Sequence, residues 1–130
     1  MDGMSEQSRW SADDLRLLDA AGELEIAVRR PDGSLRRWLP IWVVSTGEQA
    51  YVRTWYRRDT GWYGHALRSR QARIRVPGLE ADVAVEDIGD TSARVTADVD
   101  EAYRTKYGPG GAGSMITPEA VTTTLRLIPR

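Results

Sequence analysis

A chain of 130 residues is enough for one domain with a sizeable core, and with no cysteine it has no disulfide framework, thiolate metal site or cysteine nucleophile. The single histidine, His65, rules out a histidine-rich metal centre, and no stretch is apolar or long enough to cross a membrane as a helix. The net charge of −1 hides a strong asymmetry: residues 1–28 carry 2 basic and 7 acidic side chains, residues 29–75 carry 11 and 3, and residues 76–130 carry 5 and 9. A basic middle between acidic flanks points to internal ion pairing or to an anionic ligand. Only Lys106 is lysine, and the remaining basic side chains are arginines, whose planar fork suits phosphate and carboxylate.

The polar, acidic start Met1–Ser8 does not read as a signal peptide, so a cytoplasmic location is expected. Residues 1–9 are expected to be disordered and residues 10–130 to form one domain. Ser11 reads as a helix N-cap, with Asp13 and Asp14 in the first turn and Trp10 and Leu15 placed as a hydrophobic staple. That helix is expected to run to Ala21 and stop at Gly22. Glu23–Arg30 alternates, with Leu24, Ile26 and Val28 on one face, and predicts a half-buried strand. Pro31-Asp32-Gly33-Ser34 is a turn. Leu35–Val44 predicts a second, longer strand, which Pro40 assigns to an edge or a bulge. A turn at Thr46–Gln49 leads to a third strand, Ala50–Trp55.

Gly61–Arg68 predicts a short helix with Asp59 or Thr60 as cap. Strands at Gln71–Val76 and Leu79–Asp87 are joined by Pro77-Gly78, which sets Arg75 opposite Glu80 and Arg73 opposite Asp82. Asp98 and Glu101 suggest a capping box for a helix ending at Gly108, with Val99, Tyr103 and Tyr107 along one side. Gly108–Ser114 reads as a glycine-rich lid or connector, and Ala120–Ile128 as a last strand. Hairpins with interspersed helices predict a mainly β, α+β fold: one mostly antiparallel sheet, closed or partly closed.

The chemistry concentrates in Arg53-Thr54-Trp55-Tyr56-Arg57-Arg58-Asp59-Thr60-Gly61-Trp62, where a strand leads into a helix N-terminus. Unpaired backbone N–H groups and three arginines there attract an anion, Gly61 admits a ligand close to the backbone, and Trp55, Trp62 and Tyr63 offer flat surfaces to a planar ring. Arg36 and Arg37 form a second basic pair; a simple four-residue turn would set Arg36 opposite Arg29, a like-charge pair that an anion or Asp32 would relieve. Cross-strand partners account for Arg73 and Arg75 without a ligand. His65 reads as a helix-surface or partly packed residue, with ring contact or proton donation as the alternative. The 108–114 segment lacks the ending of a P-loop and does not follow a strand. No serine–histidine–acid triad or carboxylate pair stands out, so any reaction would draw on a bound cofactor.

Several runs carry a family resemblance: Ile41-Trp42-Val43-Val44, Tyr51-Val52-Arg53-Thr54, Arg58-Asp59, Trp62-Tyr63, Ala102–Gly108 and the ending Thr123–Arg130. Over about residues 10–130 the chain resembles the bacterial domain of unknown function 2255 family. That family is similar to the FMN-binding split barrels and the deazaflavin (F420)-dependent nitroreductases. The resemblance implies a single split β-barrel, an FMN or F420 cofactor, oxidoreductase activity on a small organic substrate and a homodimer. The implied cofactor contacts are Arg36, Arg37, Arg53, Thr54, Trp55, Arg57, Arg58, Gly61, Trp62 and Tyr63. Three departures from the nitroreductase pattern stand out: Arg30-Pro31-Asp32-Gly33-Ser34 replaces its basic glycine turn, Ser69-Arg70 replaces the Asn-Pro after its helix, and His65 replaces an asparagine. A cofactor-free small-molecule-binding protein or auxiliary enzyme using the same cleft is the alternative. Net acidity and the pairing of Arg73 and Arg75 argue against nucleic acid as the partner.

Overall fold

The computed structural model describes residues 9–54 and 61–130. Helix α1 (Ala12–Ala20) starts as the sequence predicts, with the Ser11 hydroxyl accepting from the Asp14 N–H at 3.0 Å. Trp10 before the cap is buried and donates its indole N–H to Leu127 O at 2.9 Å. Strand β1 (Leu24–Val28) buries Leu24, Ile26 and Val28 as its alternation predicts.

The Leu35–Val44 strand is instead two. β2 (Leu39–Ile41) pairs with β1, β3 (Val44–Thr46) pairs with β4 (Gln49–Val52), and only Trp42 and Val43 lie between β2 and β3. The apolar run looks continuous because Ile41 before the corner and Val43 and Val44 after it are all buried. Pro40 does sit on an edge strand, where its missing N–H costs no sheet bond. The turn into β4 places Gly47 (φ 59°) and Glu48 (φ 66°) in the left-handed region, as a primed hairpin turn requires.

Helix α2 (Gly61–Ser69) is followed by β5 (Gln71–Val76) and β6 (Leu79–Asp87), in the predicted register: Arg73 faces Asp82 and Arg75 faces Glu80. Their ion pairs spread further. Arg73 bonds both Glu80 (2.6 Å) and Asp82 (3.0 Å), while Arg75 reaches Glu25 on β1 (2.7 Å) and lies 4.0 Å over the Trp38 ring.

Helix α3 (Ala93–Ala112) begins earlier than the expected capping box. Ser92 is its cap, accepting from the Val95 N–H, so Asp98 and Glu101 lie inside the helix. Gly108 (φ 77°, ψ 164°) breaks it, as the sequence suggests, but the chain then turns helical again to Ala112 and through a 3-10 turn to Met115. Ala112 and Met115 are buried, and this packing gives the glycine-rich segment its structure. The last strand also starts later than expected: Thr117 caps α4 (Pro118–Val121), and β7 spans Leu125–Pro129.

The seven strands form one antiparallel sheet in the order β2-β1-β5-β6-β7-β4-β3. The two edges, β2 and β3, are consecutive in the chain. A two-residue link between opposite edges obliges the sheet to curl until they meet. The inner face buries Leu24, Ile26, Val28, Val43, Val52, Ile74, Leu125 and Leu127 around Tyr63 of α2. The outer face of β3 and β4 packs Val44 and Tyr51 against Val99 and Tyr103 of α3.

Two α3 side chains hold the corner. The Tyr107 ring stacks on Trp42 at 4.0 Å, and its hydroxyl donates to Gly22 O (2.7 Å) and accepts from the Val43 N–H (3.3 Å). Lys106 donates to Leu18 O (3.0 Å) and Val43 O (2.7 Å). Burial pushes the Tyr107 phenol up to about 12 and pulls the Lys106 ammonium below the usual lysine range. Tyr107→Phe keeps the stacking and loses the hydroxyl bonds. It is expected to lower unfolding stability in urea by about 1 kcal/mol.

Candidate functional site

The sequence-predicted residues separate into two groups. Arg53 follows Val52 and shares the face of Tyr51, so strand alternation sends its side chain toward α3 and away from the barrel interior. There it is wholly buried. It donates to Asp100 (2.6 Å), Met115 O (2.8 Å) and Thr124 Oγ1 (2.8 Å), and lies 5.6 Å from the Tyr103 ring centroid. Thr54 is also buried, and its backbone exchanges hydrogen bonds with the Thr123 hydroxyl. Tyr63 is buried in the core with its ring edge-on to Trp62. Trp55, Arg57 and Arg58 lie outside the described residues.

The second group meets in a cleft of about 340 Å³ between the β1–β2 hairpin and the start of α2. Arg36 and Arg37 come from the hairpin, Gly61 and Trp62 from the helix, and Ile26, Val28 and Leu39 supply apolar walls. Arg36 arrives there through the turn geometry. The Asp32 carboxylate accepts from the Ser34 N–H (2.9 Å) and hydroxyl (2.7 Å), and Gly33 takes φ 90°. That turn pairs Arg29 with Leu35 rather than with Arg36, so the expected like-charge pair does not form. The Arg36 N–H bonds Val28 O instead, and Arg36 stands opposite inward-facing Val28. Ile26 then faces Leu39. Two steps along β1 thus match three along its partner, and the extra residue is a bulge between Arg36 and Leu39.

Arg30 and His65 complete the lining. Both were legible in principle. Arg30 continues the inward alternation Ile26, Val28, and His65 lies three residues after Trp62 on the same helix face. The cleft is thus apolar on one side and cationic on the other. Among the described residues no acidic side chain lines it, and the Arg36 Nε atom is buried without a hydrogen-bond partner. Gly61 (φ 65°) leaves open space where a Cβ would stand.

His65 Nδ1 lies 3.0 Å from a guanidinium nitrogen of Arg68. A guanidinium can only donate, so Nδ1 accepts and the ring proton sits on Nε2. Burial, followed by the charges of Arg36, Arg68 and Arg30, holds the imidazolium below the usual histidine range.

Solved structures share this architecture. A heme storage protein from Vibrio cholerae superposes with a TM-score of 0.62 at 14% identity, covering 94% of this chain and 91% of that one. A FAD-binding protein from Mesorhizobium loti gives 0.58 at 14% identity, covering 93% and 91%. An F420 reductase gives 0.53 at 19% identity, covering 88% and 90%. No curated protein matches the sequence. The curled antiparallel sheet with short helices is a split-barrel fold, which these proteins share. Within that class, the chain belongs to the DUF2255 family of uncharacterized proteins conserved in bacteria, whose model matches residues 14–127.

Two measurements test this electrostatic picture. Asp100→Ala leaves the Arg53 guanidinium buried without its counter-charge and is expected to cost about 3 kcal/mol of stability in chemical denaturation. The ring protons of His65, the only histidine, are expected to titrate by NMR with a midpoint below 6.5.

Proposed function

We propose that the cleft between the β1–β2 hairpin and α2 binds a flavin-type cofactor, FMN or F420, and that the protein is an oxidoreductase acting on a small organic substrate. One observation carries this reading: an apolar wall and a cluster of arginines share one cavity with no acidic lining among the described residues, and with a buried Arg36 Nε that has no partner among them and no side chain at Gly61. That combination suits a planar ring bearing an anionic group. Ile26, Val28, Leu39 and Trp62 would hold the ring, and Arg36 and Arg37 its phosphate. When bound, such a group supplies hydride transfer. The chain's own residues orient it, screen its phosphate charge and keep water from the apolar wall. The likeness to F420- and FAD-related split barrels supports the reading.

The cofactor-free alternative draws on Arg53. That residue, which the sequence places with the cofactor phosphate, is buried and taken up by Asp100, Met115 and Thr124. Among the described residues, that leaves the hairpin arginines for a ligand phosphate.

Absorbance and fluorescence titrations of the purified protein with FMN and with F420 decide between these readings. Saturable binding of one of them at micromolar concentration is expected. Arg36→Gln and the exposed Arg37→Gln should each weaken it by about tenfold, the loss of a charge-assisted phosphate contact. Binding of neither cofactor would overturn the cofactor reading.

A further inference from the structure

We propose that a second pocket beside the first, between the Arg29–Gly33 end of the hairpin and the end of α2, is a separate anion site that holds the carboxylate or phosphate group of a small organic substrate. The inference rests on the cofactor reading only for what fills the adjoining cleft.

This pocket is also about 340 Å³. Arg30, Arg36 and His65 form the partition, lining both cavities, while Arg29, Arg68 and Gln71 line the second alone. The apolar residues Ile26, Val28 and Leu39 line the first and not the second. One cavity thus suits a ring and the other a charged group.

The charge count favours an anion in each. Arg29 is neutralised by Asp82 at 2.8 Å. Arg30 spends one guanidinium nitrogen on Leu35 O (2.8 Å) and feels the charge of Asp32. Arg36 and Arg68 have no carboxylate partner among the described residues, and no acidic side chain lines the pocket. Arg37 lines only the first cavity and Arg68 only the second, so each has a guanidinium of its own. The Arg68 contact also fixes His65 as the neutral tautomer with Nε2–H as donor. Guanidinium and imidazole N–H donors dominate the lining, and an oxyanion is the group that accepts from all of them.

His65 makes the test site-specific because its ring signals are unique in the chain. The experiment follows its NMR titration in intact protein while inorganic phosphate or succinate is added, with and without saturating FMN or F420. A nearby anion favours the imidazolium, so either probe is expected to raise the His65 midpoint saturably, and to do so with cofactor present. Arg68→Gln, at an exposed helix position, should weaken phosphate by about fivefold and leave cofactor affinity unchanged. Arg37→Gln should do the reverse.

Displacement of phosphate by FMN or F420 would overturn the proposal, since the pocket would then serve the cofactor's own phosphate. So would the absence of any His65 response to both anions. If neither cofactor binds but phosphate still shifts His65 through Arg68, the cofactor reading fails and the anion site stands.

Discussion

Strands β2 and β3 lie at opposite edges of a seven-stranded sheet, yet only Trp42 and Val43 separate them in the chain. The sheet satisfies that short tether by curling, and most of the molecule's organisation follows. The inner face closes around an aliphatic core. The outer face of β3 and β4 needs its own cover, which α3 provides. The tether is then secured from outside, where Tyr107 and Lys106 bond Val43 and the adjacent backbone. An apolar corner with unpaired carbonyls would otherwise be a costly place to bend a sheet.

The same curvature sorts the arginines. Strand parity sends Arg53 outward under α3, where Asp100 and two oxygen acceptors satisfy most of its charge. Arg73 and Arg75 stay on the sheet surface and pair across strands. Arg36 and Arg37 fall at a bulge beside inward-facing Val28, so Arg36 turns toward the cavity with no acid beside it among the described residues. One basic stretch of sequence therefore has two fates. Part is structural cement, and part is an unneutralised surface facing a cavity.

Local chemistry was legible wherever a short-range rule governs it. The Ser11 cap, the alternation of β1, the edge role of Pro40, the β5–β6 register and the break at Gly108 all follow from neighbouring residues. Asp98 and Glu101 misled because a capping-box spacing also occurs inside helices, and Ser92 had the prior claim on the start. Leu35–Val44 misled because Ile41, Val43 and Val44 are buried around the corner, which erases the polarity change that marks a turn. The glycines after Tyr107 suggested a lid or connector, and Ala112 and Met115 draw that segment into a core the sequence pattern does not announce.

By itself, the sequence determined a cysteine-free α+β chain with antiparallel hairpins, an arginine-rich middle and a Gly61–Trp62 helix start, because composition, alternation and turn chemistry act over a few residues. Only the tertiary structure decided which arginines remain free. That depends on strand parity, on a one-residue bulge and on carboxylates that come from distant elements, Asp100 from α3 and Asp82 from β6. Those pairings arise from strand order and from the packing of α3 on the sheet, long-range events with no local signature in the residues they join.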